Sequence, residues 1–127
     1  MNSLGMALAR FNLSNQNRIL NEIEKSYGVN AEKKVEKQLR RLRKASQEFE
    51  AVLITTLFKN FRKSLPGESL FGKSFAMKIY REMRDEKFAE EMAKREEFGI
   101  ARLLYENLAP AVIRANLRYF PEKGGKT

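Results

Sequence analysis

Cysteine and histidine are both absent from this sequence of 127 residues. Without cysteine there is no disulfide, no thiolate metal site and no cysteine nucleophile. Without histidine the chain lacks the commonest general base, the commonest metal ligand and the side chain that titrates near neutral pH. Catalysis would have to rest on carboxylates, Lys, Tyr or Ser, so the composition argues against an enzyme, and no metal or cofactor is expected. Long apolar runs are missing too. No stretch approaches the ~18 apolar residues of a membrane span, and no membrane insertion is expected. Residues 1–17 lack a basic start followed by a sustained apolar stretch and a cleavage site, so no general secretory signal is expected, and composition alone would place the protein in the cytoplasm. Strand-like alternation bounded by turn residues occurs nowhere, which leaves an all-α chain.

Apolar residues, at 43%, suffice for one core, and charged residues reach 32% against the roughly 25% usual in soluble domains. The net charge of +9 is unevenly spread. Residues 31–44 carry seven basic and two acidic side chains, whereas residues 45–98 carry ten of each. Over half of the excess therefore sits in one short segment.

The spacing of apolar residues predicts a small helical bundle of four to five helices. Residues 1–13 either form a short amphipathic helix or stay mobile, with mobility favoured. Ser14 caps a helix over residues 15–27, whose apolar side is Ile19, Leu20, Ile23 and Tyr27, and Gly28 ends it. Asn30 caps the next. There Val35, Leu39, Leu42, Ser46, Phe49 and Leu53 recur at spacings of three and four without a Gly or Pro, predicting one long helix over 31–64. Its basic first half is expected to project beyond the core. Its second half should bury Phe49, Val52, Leu53, Thr56, Leu57 and Phe61, with Phe58 pointing off that stripe. Pro66-Gly67 stops it, and Leu70-Phe71-Gly72 forms a loop with an apolar anchor. Ser74 caps a third helix to about residue 97, with Ala76, Ile79, Tyr80 and Met83 as one stripe and Phe88, Ala89, Met92 and Ala93 displaced around the axis. Gly99 marks a break before a fourth helix containing Ile100, Ala101, Leu103, Leu104 and Leu108. Pro110 suits the first turn of a fifth, which Pro121 ends.

Candidate chemistry is sparse. Glu48/Glu50, Asp85/Glu86, Glu90/Glu91 and Glu96/Glu97 could in principle divide acid and base roles, but each pair lies on a helix rich in Lys and Arg, and solvated ion pairs account for them. Gly72 and Gly99 are too isolated to cradle a phosphate. Tyr80, Tyr105 and the methionines Met77, Met83 and Met92 read as core and interface fillers. The basic run from Lys33 to Lys44 leaves Lys37, Arg40, Arg41 and Lys44 among the charges around an apolar line. A solvated face, an acidic protein partner, and an anionic membrane or nucleic acid all fit it, although the aromatic interleaving of a single-strand binder is missing.

Three segments in order carry a resemblance. Ala45-Ser46-Gln47-Glu48-Phe49-Glu50 with Leu57-Phe58-Lys59-Asn60-Phe61-Arg62-Lys63-Ser64 comes first. Leu70-Phe71-Gly72 with Ser74, then Tyr80, Met83 and Asp85, follows. Gly99-Ile100-Ala101, Leu104-Tyr105 and Leu108 close it. Together they resemble the rod-binding domain found in the N-terminal half of FlgJ-type flagellar proteins, many of which carry a second, peptidoglycan-cleaving domain. The resemblance covers residues 45–108 and departs from the family at Arg95–Phe98, where a glycine-containing turn is usual.

The resemblance implies a scaffold or cap that binds flagellar rod proteins in the periplasm, exported through the flagellum's own apparatus without a cleavable signal. Residues 109–127 offer no room for a hydrolase domain, so no enzymatic activity is expected, and wall penetration would call on a separate peptidoglycan hydrolase. A cap could also be a homo-oligomer. The expected organisation is an N-terminal segment over 1–30, partly mobile with a short helix, a helical rod-binding domain over 31–120 and a disordered tail over 121–127. Partner contacts are expected at Glu48, Glu50, Phe88, Met92, Lys37, Arg40, Arg41 and Lys44. The alternative is a basic helical nucleic-acid-binding module, which the missing aromatics make the lesser reading.

Overall fold

Gly28 is the tightest joint among the described residues. It sits at φ 102 and ψ 170, a region that only glycine enters without strain, and it alone separates two helices. Its N–H closes the end of the first by donating to the Glu24 carbonyl at 2.8 Å, and its own carbonyl accepts from the Glu32 N–H at 3.1 Å. A computed structural model describes residues 3–64, 75–95 and 98–123, which hold five α-helices and no strand. They are α1 (Ser3–Ala9), α2 (Gln16–Tyr27), α3 (Val29–Ser64), α4 (Phe75–Lys94) and α5 (Ile100–Leu117), with a 3-10 turn at Leu13–Asn15. The fold is an all-α bundle.

Several local readings shift. Ser14 does not cap α2, whose N-cap position is Asn15 and has no side-chain cap bond; Asn12 caps the 3-10 turn before it, its side chain accepting the Asn15 N–H while Asn15 Oδ1 accepts the Asn12 N–H. Because Gly28 makes the whole turn, α3 begins at Val29 and Asn30 lies inside its first turn rather than capping it. The expected break before Pro110 is absent. α5 runs through Pro110 for 18 residues, although proline cannot donate to the Glu106 carbonyl. Ala101, Tyr105, Ala109, Ile113 and Leu117 form an unbroken buried line at four-residue spacing on both sides of the proline, and burial of that line outweighs one missing hydrogen bond. Pro66-Gly67, the Leu70-Phe71-Gly72 anchor, the Ser74 cap and the Glu96/Glu97 pair lie outside the described residues.

The chain divides into two compact units. The first takes the chain up to Lys44 and again from Arg102; the second takes Ala45–Ala101. The expected boundary at residue 30/31 falls within the first unit, where Leu4 and Leu8 of α1, Phe11, Ile19, Leu20 and Ile23 of α2, Ala31, Val35 and Leu39 of α3, and Tyr105, Ala109, Ile113 and Leu117 of α5 make one core. Ile19, Ile23 and Ile113 are fully buried, each contributing about 1.5–3 kcal/mol. The first half of α3 is therefore bound into a core rather than projecting from one.

Tyr105 is the polar hub of this unit. Its hydroxyl donates to Gln16 Oε1 at 2.5 Å, its ring meets Phe11 edge-on at 5.9 Å, and the Arg43 guanidinium lies 5.9 Å above it. Burial pushes the phenol above its usual value, and Arg43 and the Gln16 bond pull it back only in part. Next to it, the Glu106 carboxylate accepts the Leu13 N–H at 2.9 Å, which ties the 3-10 turn to α5. Near the other chain end, the Lys123 N–H donates to the Ser26 carbonyl at 2.5 Å.

Candidate partner-binding surface

The second unit has an unusual interior. Its core consists of Ala51 and Ile54 on α3 and Ala89 and Ala93 on α4, with Phe58 and Met92 half-buried against it. On α3 the inward line runs Ser46, Glu50, Ile54 and Phe58; on α4 it runs Asp85, Ala89 and Ala93. Both lines keep four-residue spacing, so each is a true helical stripe. Apart from Ile54 and Phe58 they are made of small and polar side chains, and most of the other large apolar ones point elsewhere.

The stripe expected to face the core is consequently outside. Phe49, Val52, Leu57 and Phe61 are all more than half exposed, while Phe58, expected to point away, packs inward and stacks on Phe88 with ring centroids 5.6 Å apart. The same correction applies to α4. Ile79, Tyr80 and Met83 lie on the surface, and of the three methionines taken as interface fillers only Met92 reaches the core; Met77 and Met83 are exposed.

Two carboxylates expected to be solvated are buried. Glu50 is fully buried, with Oε1 accepting the Ala101 N–H at 2.8 Å and Oε2 without a hydrogen-bond partner. Ala101 lies in the first turn of α5, where backbone donors are free and the helix dipole favours a negative group. Glu50, expected at the partner surface, thus joins α3 to the start of α5. Asp85 is held by Arg62 of α3, with Arg84 Nη2 3.8 Å from its other oxygen. Glu48, the sequence neighbour of Glu50, stays exposed.

Two shallow grooves cross this unit. One, about 390 Å³, is lined by Phe58, Phe61 and Arg62 of α3 and by Arg84, Asp85 and Phe88 of α4. The second, about 720 Å³, runs along α4 and its following residue: Tyr80, Met83, Phe88 and Met92 are its apolar lining, and Arg84, Lys87, Arg95 and Glu91 its charged lining. Of the residues expected to contact partners, Phe88 and Met92 are thus brought together here. Lys37, Arg40, Arg41 and Lys44 belong to the first unit, all exposed, with Arg40 paired to Glu36 at 3.0 Å. Adding charges unit by unit from the sequence places the whole +9 in the first unit and zero in the second.

Tyr80 and Met83, expected in a core stripe, are surface residues. The detectable signal was the i+4 line Asp85, Ala89, Ala93, which competes with the larger side chains for the inward face. Among the described residues no cluster of acidic side chains could hold a metal ion, and no helix is long and apolar enough to cross a membrane.

A surface of exposed aromatics and methionines is suited to binding protein. Residues 59–106 match the Rod binding protein family. The match takes in the end of α3, all of α4 and the start of α5, and it gives the chain a protein-binding role related to the flagellar rod. No curated protein and no solved structure matches the chain. The rod-binding family is the one suggested by the Glu-Phe-Glu, Leu-Phe-Gly and Gly-Ile-Ala segments, of which the last two lie wholly within the match.

Proposed function

We propose that the chain is a non-enzymatic flagellar rod-assembly scaffold or cap, which grips rod subunits through the outer face of its second unit. One observation carries this reading: the rod-binding match falls mainly on the unit most of whose large apolar side chains lie outside and whose interior is mostly alanine. Burying those side chains against a partner would return about 25 cal/mol per Å² of apolar surface, which makes the outer face more favourable covered than bare. A cap must hold subunits yet let new ones insert, so contacts of moderate strength, part apolar and part charged, suit the task. The place of action would be the periplasm, reached through the flagellar export apparatus. A chain with no disulfide to obstruct passage and a small second core is compatible with unfolded transit. A separate hydrolase would open the cell wall.

The test is capture of purified rod subunits by the full chain. Phe88→Ser and Met92→Ser should weaken capture, but both side chains also touch the interior. Tyr80→Ser and Met83→Ser remove only exposed groups and should reduce capture with helicity unchanged by circular dichroism. Undiminished capture by both folded variants would remove this face from the reading. A second reading, a nucleic-acid-binding module, draws on the +9 concentrated in the first unit. It requires binding that falls steeply with salt, and absence of DNA or RNA binding near physiological salt eliminates it.

A further inference from the structure

The groove along α4 has a length, an apolar lining and a set of charges that together specify an occupant. Its apolar groups begin at Tyr80 and its last lining residue is Arg95, a rise of about 22 Å, or about 15 residues of helix. A track this long and shallow is poorly shaped for a small molecule, which would be enclosed on most sides, and suits a rod-like partner laid along it.

The charges around α4 are sorted as well. At 100° per residue, Arg84, Lys87 and Arg95 fall on the groove side, and Glu82, Glu86 and Glu90 fall on the opposite flank. Among the charged lining residues there are three cations and one acid, Glu91. The helix is polarised across its width although the unit as a whole is neutral. A second copy of this face would set cation against cation, which disfavours self-association through it. A nucleic acid could pair its phosphates with these cations but would leave Met83, Phe88 and Met92 bare.

We propose that this groove receives an amphipathic helix whose apolar stripe is flanked by Asp or Glu. This deepens the rod-binding reading and rests on it, naming the chemistry of the element that is gripped. Tyr80, Met83, Phe88 and Met92 take the apolar stripe, and Lys87 and Arg95 set orientation and select against basic flanks.

The probes are two labelled helical peptides of about 18 residues sharing one leucine stripe, with Glu flanks in one and Lys flanks in the other. Anisotropy titrations with the full chain should show the Glu-flanked peptide binding at least about tenfold more tightly, which is about 1.4 kcal/mol. The gap should narrow as salt is raised. Lys87→Glu with Arg95→Glu should reverse the preference; Arg84 is left in place because it neighbours Asp85. Met83→Ser should weaken both peptides. Equal affinity for the two peptides, no binding of either, or an unchanged preference in the folded double variant would overturn the proposal. Rod subunits captured equally by parent and double variant would overturn the groove and leave rod binding standing. Peptide discrimination without capture of any rod subunit would uphold the groove and remove the rod-binding reading.

Discussion

Ile54 and Phe49 sit five residues apart on α3 and test the register of that helix directly. Ile54 is 2% exposed in the core of the second unit, and Phe49 is 54% exposed. Ile54→Ala removes several carbon atoms from a site walled by Ala51, Ala89 and Ala93, small groups that cannot move in to refill it. Core substitutions of this kind cost about 2–5 kcal/mol, and the poor capacity for collapse places this one in the upper part of that range. Phe49→Ala deletes the larger side chain, worth about 3–5 kcal/mol if buried, but at its observed exposure the cost falls to roughly 1 kcal/mol or less. Side-chain size and structural burial therefore predict opposite orders. Urea unfolding followed by circular dichroism measures both. Hydrogen exchange of the α4 amides reads the second unit separately and should accelerate in Ile54→Ala alone. Phe49→Ala costing as much as Ile54→Ala would refute the assignment of the inward face.

Other expectations follow from single contacts. Gly28→Ala must hold a side chain at φ 102 with Lys123 Cε 3.1 Å from the new Cβ, and should lose about 1–3 kcal/mol in urea unfolding. Arg62→Ala strands the buried Asp85 beside a distant Arg84 and should cost roughly 2–3 kcal/mol, whereas adding Asp85→Asn should recover part of it in a double-mutant cycle. Tyr105→Phe gives up the bond to Gln16, about 0.5–1.5 kcal/mol at neutral pH. Its pH dependence has a definite sign. Burial raises the phenol's folded-state value, so the unfolded chain ionises first; stability is intact below about pH 10 and falls as pH climbs through the folded-state value. Tyr105→Phe should flatten that alkaline loss, read from melting temperatures across pH 9–11, leaving the part due to Tyr27, whose phenol is likewise raised by burial and by Glu122.

The candidate site was only half legible before folding. Phe88 and Met92 stood out because they broke the α4 stripe, and they do line the groove. Glu50 looked like a surface charge because it sits among Glu48, Lys44 and Gln47; that it meets the free Ala101 N–H depends on a helix start 51 residues away. Tyr80 and Met83 looked like core because they are large, apolar and correctly spaced. Spacing defines a stripe but not what the stripe faces.

By itself the sequence determined the helical class, the unbroken α3 and the break at Gly28, because propensity, capping and positive φ are local matters. It determined the absence of thiol and imidazole chemistry outright. The inward line of α2 was also legible, since Ile19, Leu20 and Ile23 are both large and buried, whereas the burial of Val35 and Leu39 on the basic half of α3 was not. Tertiary structure alone decided which face of α3 and α4 turns inward in the second unit. There two helices approach through Ala51, Ala89 and Ala93, and small side chains allow the close approach that large ones would prevent. The same packing let α5 continue past Pro110, and it left Tyr80, Met83 and Phe88 outside, where a partner can cover them.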